Sequence, residues 1–188
     1  MISKKVWTGT LEWFIAIVLI ISTSYYYFFS SGSFTALNEF KRSERTYNYG
    51  PSDIKRTIDT DYGKIYLSKY KDWFSASTVE KKIVKWYIGN GVTGIKIKNE
   101  DKITQSWGGS KVSDKAFIYK VFGYVTDNSI RSVFFEVEEN GETKSLKEDI
   151  GEDRMFIFWW NDKENKYKFL RLRGVDASGN VVYEHKYY

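Results

Sequence analysis

The chain opens with a long stretch free of charge and continues as a series of short alternating segments. No side chain between Trp13 and Asn38 is charged, and the most apolar part, Trp13 to Phe29, reads WFIAIVLIISTSYYYFF. As a helix this part would rise about 26 Å, near the lower limit for a hydrocarbon core of roughly 30 Å. Lys4 and Lys5 precede it, and Trp13 and Tyr25 to Tyr27 stand where interfacial aromatic rings belong. The pattern predicts a transmembrane helix over 13–30, a cytoplasmic stub over 1–12, and an extracytoplasmic remainder. The competing reading is a cleaved signal peptide, with apolar residues Trp13 to Ile21 and small residues Ser22 and Ser24 before a cut. Neither small residue is Ala, and the aromatic run that follows prolongs the apolar segment, which favours an uncleaved anchor.

Residues 31–60 are polar, carry the single Pro51 and lack a sustained period, so they read as a stalk with a helical turn near Ser52 to Arg56; the alternative is a shorter stalk with Ile54 and Ile58 already docked on the domain. From 61 to 188 the period is two. Ile65 and Leu67 alternate with Lys64, Tyr66 and Ser68. Over Lys82 to Ile88, Val84, Trp86 and Ile88 oppose Ile83, Lys85 and Tyr87. Val133, Phe135 and Val137 share one face. Ala116 to Val125 is apolar on both faces, as a central strand would be, and Met155 to Trp160 is continuously apolar. Turn residues separate these runs at Gly89-Asn90-Gly91, Gly108-Gly109, Asn140-Gly141, Asn161-Asp162 and Asp176 to Asn180. Within Tyr167 to Leu172 the alternation slips, which calls for a bulge near Phe169–Leu170. About ten short strands with little helix between them predict an all-β domain, an antiparallel β-sandwich or else a compact barrel. The last hairpin should pair Tyr167–Val175 with Val181–Tyr187.

Composition narrows the chemistry. There is no Cys and one His, which excludes a disulfide framework, a thiol nucleophile and Cys- or His-rich metal centres. No phosphate-binding loop, nucleophile elbow or dinucleotide fingerprint occurs, and the glycines of Gly89 to Gly94 lead into the strand-like Ile95-Lys96-Ile97, so they read as turn glycines. No catalytic residue, metal ligand or cofactor is assigned. His185 reads as a strand residue, the acidic run Glu148 to Asp153 as a solvated loop, and Glu136, Glu138 and Glu139 as the wet face of a strand and its turn. The net charge of +5 and a pI of 9.1 would suit nucleic acid, but an exported domain would meet wall polymers or lipid headgroups instead. The basic excess lies in residues 39–122, with 17 Lys and Arg against 10 Asp and Glu.

Aromatic content, 19% with seven Trp, is the outlier. Trp159 and Trp160 are adjacent, so in a strand they face opposite ways. Trp107 lies among turn-forming neighbours, Thr104-Gln105-Ser106-Trp107-Gly108-Gly109. The plainer expectation for its ring is a fold-back that caps the core; an exposed ring would instead suit a sugar or protein contact. Trp107, Trp159 and Trp160 are the candidate binding residues.

Phe156-Ile157-Phe158-Trp159-Trp160, Leu172-Arg173-Gly174-Val175-Asp176 and Gly179-Asn180-Val181-Val182-Tyr183 together resemble small single-span, membrane-anchored proteins of low-GC Gram-positive bacteria. The layout of basic start, one span and cysteine-free β-rich exterior resembles them too. The resemblance brings no assigned activity and no site residue. The reading of the whole is a single-pass cell-membrane protein whose outer β-domain binds, senses or assembles with a surface protein or wall polymer. The alternatives are a wall hydrolase using acidic residues and a secreted effector or inhibitor released by cleavage.

Overall fold

The computed structural model describes residues 4–29, 31–90, 94–113, 116–161 and 167–187. Helix α1 runs Lys4–Phe29, and its stretch Leu11–Phe28 is long and apolar enough to cross a membrane, with none of it buried against the rest of the chain. Thirteen further elements follow among the described residues. Helix α2 is Ala36–Thr46, and five strands form the first sheet: β1 (Asp53–Thr60), β2 (Gly63–Tyr70), β3 (Trp73–Lys82), β4 (Lys85–Asn90) and β5 (Ile95–Lys96). Their order is β1-β2-β3-β4, with β5 pairing the start of β3. A second sheet, order β10-β7-β6, contains β6 (Ile103–Ser113), β7 (Ala116–Val125) and β10 (Met155–Asn161). The third, order β12-β11-β8-β9, contains β8 (Ile130–Glu139), β9 (Glu142–Asp149), β11 (Tyr167–Asp176) and β12 (Val181–Lys186). Among the described residues every pairing is antiparallel, and no sheet closes into a barrel. The fold is all-β and sandwich-like, preceded by one apolar helix.

The second sheet is the middle layer. On one face Ile118, Phe122, Met155 and Ile157 pack with Ile65, Leu67, Phe74 and Ala76 of the first sheet. On the other, Val121, Val125, Phe156 and Phe158 pack with Val133, Phe135, Val137 and Leu172 of the third. The doubly apolar pattern of Ala116 to Val125 thus has its physical cause: β7 is the central strand of a sheet covered on both sides. The bulge expected at Phe169–Leu170 is present as a register shift between Phe169 and Arg171. It lets Phe169 and Leu172 both face inward. The closing hairpin pairs as expected, with Gly174 opposite Tyr183.

Of residues 31–60, expected as a stalk, 36–60 are folded onto the domain, with Ile54 and Ile58 docked on its core as the shorter-stalk alternative has it. Thr35 caps α2 by accepting from the Asn38 N–H at 3.2 Å. Ala36, Glu39, Phe40, Ser43 and Glu44 are buried, the i, i+3, i+4, i+7, i+8 stripe of an amphipathic helix. Phe40 packs on Tyr66 with ring centroids 4.9 Å apart, covering the outer face of the first sheet. The helix is hidden from a hydropathy reading because three of the five buried positions are Glu or Ser. Each has a partner: Glu39 accepts from Ser33 Oγ at 2.8 Å, the Ser43 hydroxyl donates to Phe40 O at 2.8 Å, and Glu44 accepts from the Ser52 N–H at 2.9 Å. Ser52 to Arg56 holds the start of an edge strand and not a helical turn.

Close layer packing makes specific demands on glycine. A Cβ on Gly123 in β7 would lie 2.5 Å from the Phe156 ring and 2.7 Å from Thr104 O. The second contact is backbone and cannot yield. Gly123→Ala should therefore destabilise the fold by about 1–3 kcal/mol through overpacking, lowering the thermal midpoint by several degrees. Near-UV circular dichroism on heating the full chain in detergent checks this.

Candidate functional site

Trp107 lies in mid-strand in β6, opposite Val121. The turn expected at Gly108-Gly109 is not there: both residues pair with β7. The reason is steric, because a Cβ on Gly109 would collide with the Phe117 ring. Since β6 is an edge strand, the Trp107 side chain overhangs the layer and is 61% exposed. It does not fold back as a cap. Its ring stands edge-on to Phe169 at 6.3 Å. Phe169 in turn meets Trp160 at 5.6 Å, Phe135 at 5.3 Å and Tyr187 at 5.6 Å, all edge-to-face. Trp160 stacks on Tyr119 at 6.3 Å and on Phe135 at 6.0 Å. Such pairs add about 0.5–1.5 kcal/mol each beyond their buried area. Trp107 and Trp160 thus belong to one ring cluster, Trp160 within it and Trp107 at its surface. Trp159, 38% exposed, faces the opposite side of the sheet, so the three candidate rings do not form one patch.

The acidic residues are engaged structurally. Arg56 of β1 pairs with Glu148 at 2.5 Å and Asp153 at 2.7 Å and donates to Met155 O at 2.6 Å. The other oxygen of Glu148 accepts from the Ile157 N–H at 2.7 Å. The run expected as a solvated loop therefore ties all three sheets together at one corner. Glu136 is held between Arg171 and Arg173. Among the described residues no group of three or more His, Asp or Glu side chains is placed to hold a metal. His185 is exposed and edge-on to Tyr187 at 4.8 Å. Gly91 and Asp162, expected in turns, lie outside the described residues.

Two lysines carry more chemistry than their positions in the sequence suggest. Lys120 in β7 is 2% exposed and reaches across to the first sheet, donating to Ala76 O and, at 2.8 Å, to Thr78 Oγ1. Burial alone brings its pKa down to about 7. Two acceptors match the two N–H groups of a neutral amine. A lone charge inside Phe117-Ile118-Tyr119-Lys120-Val121-Phe122 was the available sequence signal.

Lys85 is fully buried and donates to Tyr27 O at 2.7 Å, Phe28 O at 2.9 Å and Ser31 O at 2.8 Å. Tyr27 O and Phe28 O are carbonyls that the end of α1 leaves without helical partners, and Ser31 O lies just beyond it. The adjacent Trp86 exchanges both backbone bonds with Ser33, at 2.9 and 2.7 Å. The strand expected over Lys82 to Ile88 is broken to make this possible: Ile83 and Val84 form a two-residue turn with Lys82 opposite Lys85. Ile83 has φ +55°, a left-handed conformation in which a β-branched residue is strained by about 1–3 kcal/mol. Asn-Gly would suit such a turn, so nothing in Lys-Ile-Val-Lys announces it.

No protein-family model, curated protein or solved structure matches this chain.

The depressed pKa of Lys120 sets a pH dependence. Unfolded, a lysine titrates near 10.4, so between about pH 7 and 10 the unfolded chain binds a proton that the folded chain does not. This group's contribution to stability must therefore rise with pH through that window, by about 1 kcal/mol per unit at most. Unfolding midpoints at pH 6.5 and 9 should separate more in the wild-type protein than in Lys120→Met.

Proposed function

We propose that the chain is a single-pass cell-membrane protein with a cytoplasmic amino terminus, whose extracytoplasmic β-domain binds a surface partner without catalysis. The observation that carries this reading is Trp107. A large ring, 61% exposed, stands on an edge strand and is braced from below by Phe169, which itself packs on Trp160. A braced aromatic loses little conformational freedom on binding, which is why such rings dominate contact energies. The acidic residues support no hydrolytic alternative of equal weight, since Glu148 and Asp153 converge on Arg56 and Glu136 on two arginines. The partner is a cell-surface protein or wall polymer. Tethering supports the same reading, because an anchored domain works at high local concentration and needs only modest intrinsic affinity.

Two measurements test it. A tag after Tyr188 should be degraded by protease added to spheroplasts; full protection would overturn the orientation. Trp107→Ala should weaken retention of the purified protein on cell envelopes by roughly tenfold, about 1–2 kcal/mol. Its thermal midpoint should move by no more than a few degrees, since the side chain is mostly exposed. Unchanged retention would remove Trp107 from the contact.

A further inference from the structure

The turn between β3 and β4 is unusual for a surface feature. Ile83 is 83% exposed and Val84 52%, and both are β-branched, apolar residues at a tip where short polar residues would relieve the backbone. Folding does not require them there. What lies beside them supplies a reason. Lys85, immediately after the turn, holds the carbonyls of Tyr27, Phe28 and Ser31 at the end of α1. Ser33 pairs antiparallel with Trp86, which brings Phe34 alongside Lys85, toward the tip. The Phe34 ring is 59% exposed, stacks on Phe28 at 6.1 Å, and lies under the Lys85 ammonium at 5.5 Å. The last turn of α1, Phe34, Ile83 and Val84 therefore occupy one edge of the domain.

The charges fit as well. Lys81 and Lys82 precede the turn and are exposed, with their amines over the Trp86 and Tyr87 rings at 5.9 and 5.6 Å. Glu80, just before them in β3, is buried and pairs with Lys82 at 3.4 Å, and exposed Asp61 stands in the neighbouring β1–β2 turn, whose Tyr62 O accepts from the Lys81 N–H at 3.2 Å. Apolar side chains at a tip with lysines on its flanks match the layering of a bilayer surface, acyl boundary inside and anionic headgroups outside.

We propose that the Ile83-Val84 turn is a second membrane contact, seated in the headgroup–acyl boundary of an anionic bilayer beside the end of α1. The inference rests on α1 spanning that bilayer. The surface is continuous with the span, so the lipid that surrounds Tyr27 and Phe28 is the medium the tip meets. The turn and the span then hold the domain at two points, which fixes its tilt as well as its height.

The chain has no cysteine, so single-cysteine labelling of the full protein is direct. Ile83→Cys, Val84→Cys, Ile20→Cys in the span and Thr143→Cys on β9 would each carry a polarity-sensitive fluorophore in phosphatidylcholine–phosphatidylglycerol nanodiscs. Thr143 is exposed in the third sheet, on the far side of the middle layer from the turn. Labels at 83 and 84 should emit at shorter wavelength than the label at 143. A nitroxide placed shallow in the lipid should quench them at least twofold more. Quenching of the label at 20 with no difference between 83, 84 and 143 would overturn the second contact while leaving the span intact. A blue shift at 83 without lipid-nitroxide quenching would assign the tip to a protein neighbour and overturn the lipid contact. An aqueous label at 20 would overturn the span reading and this inference with it.

Discussion

The middle sheet is buried on both faces, and the rest of the domain follows from that constraint. An antiparallel sheet ordinarily leaves one face to water; here Val121 and Phe156 look one way and Ile118 and Ile157 the other, all inside. Each face requires a partner sheet, and the first sheet, whose own outer face carries Tyr66 and Val79, requires a further cover. Helix α2 supplies it. The order of layers, α2, first sheet, middle sheet, third sheet, is a chain of coverings that ends where the last surface becomes polar, with Arg171, Arg173 and Glu136 outward on the third sheet.

Lys120 is the exception within that constraint. A charge placed between two apolar layers is strongly disfavoured unless it is neutralised or partnered. The fold does both: it depresses the amine toward neutrality and gives it a carbonyl and a hydroxyl on the facing sheet. Those two bonds run across the layers at a place where dispersion alone would leave sliding of one sheet over the other weakly opposed. Two directional bonds between facing sheets add a contact that depends on their registry, a role attested for buried polar groups elsewhere.

What could be read from the sequence depended on whether the physical cause was local. The long apolar helix, the central strand Ala116 to Val125 and the Phe169–Leu170 bulge were legible because charge-free length, double-faced apolarity and a slipped alternation are local patterns. Helix α2 was not, because its buried stripe uses Glu39, Ser43 and Glu44; Ser43 bonds within the helix, but Ser33 and Ile88, which serve Glu39, and Ser52, which serves Glu44, are known as partners only once the chain is folded. The Ile83-Val84 turn was not legible for the opposite reason: its residues look like strand, and only Lys85 reaching the end of α1 explains the reversal. Gly108 and Gly109 were misleading, since both pair with β7, and Gly109 answers to the Phe117 ring and not to a turn. Of the candidate site, two rings converge through Phe169, a residue 62 positions from Trp107, and no local pattern encodes that meeting.

The grip of Lys85 on three carbonyls has a mechanical consequence. A helix joined to a domain by a free linker can spin about its own axis without the domain noticing. Here the amine meets the helix end from one side only, and the Ser33–Trp86 pair clamps the chain a few residues later. These bonds oppose swivelling at the joint. While they hold, the azimuth of α1 follows the heading of the domain, so two helices packed side by side would dictate which flank of each domain faces its neighbour. A torque applied to one end would arrive at the other as a rotation of the whole β-stack.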